Sequence, residues 1–159
     1  MPSLRRVLLS DRAAIKSLSL DPDQEQFAGT IDTVFDDLQK SAFPGDEHPF
    51  AIVAKDNLTV GFFVLRERAR LPEWAPAGVI TLHSLRISRM HQGFGYGRSS
   101  VELATAWIRE NRHQIDRLML AVNARNRQAI AAYLRCGFVD TGIRVDGPIG
   151  EQLVLEIAV

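Results

Sequence analysis

The strongest constraint on this chain is the segment His91-Gln92-Gly93-Phe94-Gly95-Tyr96-Gly97-Arg98, which puts a glycine at every second position between an apolar β-rich run and a helical pattern. Glycines let consecutive backbone N–H groups gather around an anion without a Cβ in the way, and a helix N-terminus adds partial positive charge. The predicted strand over 79–88 and the predicted helix over 97–111 supply that setting, so a diphosphate can sit on the turn. Arg98, and Arg89 before the turn, are candidates for ionic contacts to it. The spacing departs from G-x-G-x-x-G, no acidic residue appears on a following strand end about 20 residues on, and no Lys-Ser/Thr follows the glycines, so neither a dinucleotide turn nor a Walker loop is indicated.

A second motif lies about thirty residues downstream, in Asn126-Arg127-Gln128-Ala129-Ile130-Ala131-Ala132-Tyr133-Leu134-Arg135-Cys136-Gly137-Phe138. Asn126 is a helix cap, Ala129, Ile130, Tyr133 and Leu134 share one helical face, and Gly137 suits a left-handed stop. Tyr133 is thereby directed toward the core or a cleft.

Taken together, Gln92-x-x-Gly95-x-Gly97 resembles the Q/R-x-x-G-x-G/A motif of the GNAT superfamily of acetyltransferases, and residues 126–138 resemble its second cofactor-binding motif. The resemblance covers nearly the whole chain. It implies an α/β fold of the α+β type, a mixed central β-sheet flanked by about four helices, which splays after the glycine-turn strand so that acetyl-CoA lies in the V. By that resemblance, the backbone of Leu85, Arg86 and Ile87 pairs with pantetheine. Gln92, Gly93, Phe94, Gly95, Tyr96, Gly97 and Arg98 hold the pyrophosphate, Asn126 and Ala129 border the pantetheine arm, and Tyr133 faces the thioester sulfur.

The implied chemistry is attack of a primary amine on the thioester carbonyl. A backbone N–H near residues 85–87 is placed to stabilise the developing oxyanion, and the phenol of Tyr133 to donate a hydrogen bond or proton to the departing sulfur. A lysine-like amine with a pKa near 10.4 is almost wholly protonated at pH 7, so a base or a water chain is needed. His83, expected to share a sheet face with Leu85, and Glu25, in a segment expected to cover the cleft, are the two candidates. The acidic residue that many superfamily members carry on this strand has no counterpart among Ser84, Leu85 and Arg86.

Elsewhere the pattern predicts a strand over 4–9, a helix holding Ala14, Ile15 and Leu18 that breaks at Asp21-Pro22-Asp23, and a helix over 30–39. A hairpin is predicted around Asp56-Asn57, a strand-helix-strand-helix succession follows the glycine turn, and a last hairpin turns at Asp146-Gly147-Pro148. The whole of 1–159 is expected to be one domain. Gln24-Glu25-Gln26-Phe27, the acidic helix and the closing hairpin resemble bacterial diamine and polyamine acetyltransferases. Asp21, Asp23, Glu25, Asp32, Asp36 and Asp37 are the residues that would attract a polycation. A small-molecule amine acceptor is therefore expected, with an enzyme acetylating protein N-termini or lysines, or a non-catalytic acetyl-CoA sensor, as alternatives.

Nineteen basic and nineteen acidic residues cancel, which leaves no general basic field for nucleic acid or an anionic membrane. The single cysteine, Cys136, cannot form an internal disulfide, no metal site is expected, and no apolar h-region follows Arg5 and Arg6. A cytoplasmic location is expected, and the resemblance adds a homodimer.

Overall fold

The computed structural model describes residues 1–18, 20 and 22–159, apart from the side chain of Asp23. In chain order the strands are β1 (Ser3–Arg6), β2 (Glu47–Val53), β3 (Thr59–Arg66), β4 (Ile80–Ile87), β5 (Arg117–Asn123), β6 (Val139–Gly147) and β7 (Gly150–Ala158). The helices are α1 (Arg12–Lys16), α2 (Pro22–Ala28), α3 (Ile31–Lys40), α4 (Tyr96–Asn111) and α5 (Arg127–Arg135). One seven-stranded sheet runs in the order β1-β2-β3-β4-β5-β7-β6, antiparallel throughout except for the parallel pair β4 and β5. This is the mixed sheet that the motifs imply.

Each layer follows from the periodicity. On the face covered by α4 and α5, Phe63, Leu65, Ile80, Leu82, Leu118 and Leu120 pack with Val101, Ala104 and Ile108 of α4. On the opposite face α1 and α3 bring Ile15, Ile31 and Phe35 against Phe62 and Val64. Thr30 caps α3 by accepting from the Thr33 N–H at 3.1 Å. Phe35 is fully buried, which contributes roughly 1.5–3 kcal/mol. Trp107 joins the first core, against Phe50 and His48.

Three expectations are corrected. The first strand ends at Arg6 rather than residue 9, where a 3-10 turn (Leu9–Asp11) starts the approach to α1. Pro22 does not leave a loop behind it: it is the first residue of α2, a position where proline forfeits no hydrogen bond and its fixed φ suits the helix. And His83 does not share a face with Leu85. Val64 pairs with His83 while Phe62 pairs with Arg86, so β4 carries one extra residue, and Ser84 there takes a left-handed φ of 60°. The bulge resets the alternation. Leu85 and Ile87 join Leu82 against the first core, whereas His83 lies with Thr81 on the other face.

Candidate active site

β4 and β5 pair only at Ile80 with Leu118 and Thr81 with Met119. Beyond Thr81 the two strands part, and their facing N–H and C=O groups have no strand partner. The V so formed opens into a cleft of about 660 Å³ that passes through the sheet from one face to the other.

The α5 side is lined by Leu82, Leu85, Ile87, Gln92, Gly93, Gly95, Tyr96, Gly97, Asn126, Ala129, Tyr133 and Cys136. Gly93 and Gly95 both have φ of 83°, the left-handed region that costs other L-residues about 1–2 kcal/mol. Their conformation curls the chain into α4, whose N-cap, Gly95, supplies no side chain. The first intrahelical bond runs from Ser99 N–H to Gly95 O at 3.0 Å, which leaves the amides of Tyr96, Gly97 and Arg98 without intrahelical acceptors. A Cβ built on Gly93, Gly95 or Gly97 would meet nothing within 4 Å. Free donors, a helix N-terminus and open space in front of them fit a diphosphate, and the unpaired edges of β4 and β5 fit an amide-bearing arm laid alongside.

Other expected cofactor residues are placed less directly. Gln92 lines the cleft, but its amide also donates to Gln24 Oε1 at 2.7 Å and to Ile87 O at 3.2 Å, while Gln24 donates back at 3.2 Å. It thus ties α2 to the glycine turn. Asn126 caps α5 through a bond accepted from the Ala129 N–H at 3.3 Å. Phe94, at 75% exposure, and Arg98, paired with Glu102 at 3.3 Å, lie outside the lining. Arg86 presents its backbone to the cleft while its buried guanidinium donates to Ser84 O, Gly29 O and Ala28 O at 3.1, 2.9 and 2.7 Å. A cation on the last carbonyls of α2 complements the helix dipole, and burial with no carboxylate bonded to it brings its pKa down to about 10.

Tyr133 is half-buried with its ring edge-on to Phe138 at 5.5 Å. Among the described residues its hydroxyl has no hydrogen-bond partner, and burial pushes the phenol well above the usual tyrosine range, so it keeps its proton at neutral pH. The second face of the cleft holds His83, Arg66, Trp74, Pro72, Phe27, Gln24, Asn123 and Gln152. His83 Nε2 shares a hydrogen bond with Thr81 Oγ1 at 2.6 Å, and burial beside Arg66 and Arg70 pushes its pKa down to about 3. Such an imidazole is neutral but feebly basic. Glu25, the other candidate base, is exposed on α2 and not among the lining residues, although its charge reaches Arg86.

His83 carries a pH prediction. Its folded pKa lies below the unfolded value near 6.5, so between those values the unfolded chain binds a proton that the folded chain refuses. Folding stability should therefore drop as pH falls from about 6.5 toward 3, and His83→Asn should flatten that slope in denaturant titrations run at several pH values. An identical slope in the variant would locate the loss elsewhere.

The sequence missed Arg66, the tie between Gln24 and Gln92, and the bulge at Ser84. Arg66 sits at the end of a strand where a solvated arginine is ordinary, and only the fold turns it inward. His83 and the Gln24-Glu25-Gln26-Phe27 segment were the signals for this wall.

A sheet parted at a parallel pair, with an anion cradle and a buried, protonated phenol lining the same cleft, defines an acyl-coenzyme A-dependent acyltransferase. The chain belongs to the acetyltransferase (GNAT) family, whose model matches residues 12–138. The uncharacterized N-acetyltransferase YbbJ of Bacillus subtilis (strain 168) is 33% identical over 144 residues, covering 89% of this chain and 87% of the relative. Among solved structures, the aminoglycoside acetyltransferase AAC(6')-Ib in complex with coenzyme A superposes with a TM-score of 0.81 at 15% identity, covering 99% of this chain and 95% of that one. A spermidine N-acetyltransferase from Vibrio cholerae in complex with CoA and spermine gives 0.74 at 18% identity, with the same coverages. At these identities the solved structures speak for the fold alone. Acetyl-CoA is the cosubstrate of the family, and the free amides of the glycine turn and the unpaired strand edges fit it.

Proposed function

We propose that this enzyme moves the acetyl group of acetyl-CoA to the primary amine of a small molecule by direct attack, with Tyr133 as the acid. The observation that carries this reading is the Tyr133 hydroxyl, protonated and without a hydrogen-bond partner among the described residues, in the same cleft as residues 85–87. Bound acetyl-CoA supplies an activated acyl group on a good leaving thiol. The chain's own contribution is positional. Gly93, Gly95, Gly97 and the first turn of α4 hold the diphosphate, and Leu85, Arg86 and Ile87 offer backbone pairing and an N–H toward the acyl oxygen. Tyr133 donates a hydrogen bond or its proton to the departing sulfur.

His83 is too weakly basic to take the proton of an ammonium group, and Glu25 does not reach the cleft, so we assign that proton to water entering from the acceptor side. An open, polar acceptor wall and Tyr133 both speak against a sensor that binds acetyl-CoA without turnover. Residues 1–159 as one catalytic domain, a homodimer and a cytoplasmic location complete the reading. Among the described residues no helix is long and apolar enough to cross a membrane.

The acidic segments give a polyamine acceptor little support. Asp32 and Asp36 pair with Arg12 and Lys16 at 2.6–3.7 Å on the outer side of α1 and α3. Asp37 is exposed, and Asp21 and the Asp23 side chain lie outside the described residues. The test is release of free thiol from acetyl-CoA with putrescine, spermidine, spermine, aminoglycosides, amino acids and lysine-bearing or N-terminal peptides, with an enzyme-only blank for Cys136. Release with small amines above the blank is expected. Release with peptides alone would replace this reading by the protein acetyltransferase, and acetyl-CoA binding without release by any acceptor would leave the sensor.

A further inference from the structure

The acceptor wall is cationic, and its chemistry selects among amines. Among the described residues no aspartate or glutamate lines the cleft, whereas two arginines do. Arg86 is spent on the carbonyls of Ala28 and Gly29 at the end of α2 and on Ser84 O of its own strand. Arg66 is not spent. Its side chain, 24% exposed, has its Nε buried without a hydrogen-bond partner, and none of its other N–H donors is hydrogen-bonded to a described residue. Its nearest carboxylate oxygen, Glu47 Oε1 at 3.3 Å, already accepts from Arg70 Nε at 2.7 Å, so one buried carboxylate faces two guanidinium groups. Exposed Asp37 adds only a distant charge. Trp74 and Pro72 line the same side of the cleft. A third cation, Arg125, stands 5.9 Å from the Phe27 ring, a further cleft-lining group.

Resting on the transferase reading above, we infer that the natural acceptor is an amine that also carries a carboxylate, bound by the Arg66 guanidinium donors that no described residue occupies, in the wall that also holds Trp74, while its amine reaches the bulge at residues 84–85. A planar guanidinium with unused donors in a half-buried wall matches a carboxylate bidentately, and the same wall repels a polycation. Thr81, opposite Arg66 in the sheet, lies four residues before Leu85, roughly 13 Å of strand. Even after the arginine side chain covers part of that span, the carboxylate and the amine are several bonds apart. In the transfer the amine nitrogen forms the new bond to the acetyl carbon as the carbon–sulfur bond breaks. The sulfur takes one proton and the amine yields one, with no change of oxidation state.

The experiment compares kcat/KM for matched acceptors that differ only in the carboxylate: lysine with cadaverine, ornithine with putrescine, 6-aminohexanoate with pentylamine. The carboxylate-bearing member is expected to be favoured roughly ten- to hundredfold, the range for a charge-assisted bond to a buried partner. Within each pair that ratio should collapse toward one in Arg66→Met, whatever the absolute rates, and recover in part in Arg66→Lys, which keeps the charge but not the fork. Equal or better turnover of the decarboxylated amines overturns this inference and leaves the transferase intact, as does a ratio untouched by Arg66→Met. Acetyl-CoA binding with no release by any amine overturns both.

Discussion

Replacing Tyr133 by phenylalanine is expected to lower kcat about a hundredfold, near the bottom of the range of roughly 10² to 10⁴ for a positioned general acid and equivalent to about 2.7 kcal/mol in the barrier. The hydroxyl is not hydrogen-bonded to any described residue, so its removal leaves no buried donor or acceptor orphaned. The ring's edge-on contact with Phe138 is retained. The loss should therefore fall on kcat, with KM for acetyl-CoA changed little and thermal stability preserved. Because burial holds the phenol above its usual range, the wild-type rate should show no alkaline decline from this group up to about pH 10. Steady-state rates with a saturating acceptor decide the matter. A variant within threefold of wild type would show that the sulfur leaves without help from Tyr133.

Gly61→Ala should be the most damaging single methyl in the sheet. A Cβ at this position in β3 would lie 2.7 Å from Arg86 O and 2.8 Å from both Ile52 Cδ1 and Ile87 Cδ1. The closest of these is a backbone atom, held beside the bulge by Arg86's own bonds to α2. Overpacking of this kind costs up to about 3 kcal/mol, against a gain of at most about 1 kcal/mol from the smaller unfolded-state entropy of alanine. The net loss is then about 2 kcal/mol, read as a lower denaturation midpoint with an unchanged slope. Residues 86 and 87 form part of the cleft wall, so KM for acetyl-CoA should rise as well. A variant as stable as wild type would mean that β3 and β4 slide apart more easily than their registration suggests.

These two sites also mark what could be read from the chain. The glycine turn and the helix carrying Tyr133 were legible because their chemistry is local: left-handed glycines, a cap at Asn126 and one apolar face all act within a few residues. The strands β3, β4 and β5 were likewise readable from their apolar runs. The bulge at Ser84 was not, since nothing in His83-Ser84-Leu85 announces a left-handed residue, and it alone parts Leu85 from the face of His83. Gln24 with Gln92, and Arg86 with Ala28, were equally hidden, being satisfied across 68 and 58 positions of sequence. Their partners exist only once α2 has docked, and α2 was itself obscured because Pro22 breaks a preceding helix as readily as it begins a new one.

The extra residue in β4 has a consequence for how such a protein can diversify. By handing Leu85 and Ile87 to one face and His83 to the other, it puts, on the function proposed above, donor and acceptor recognition on separate surfaces of a single strand. Changes at Arg66 or Trp74 can then be sampled by mutation on elements that are not hydrogen-bonded to the glycine turn. Selection is free to trade one amine for another while the machinery for the common cosubstrate stays under its own, independent constraint.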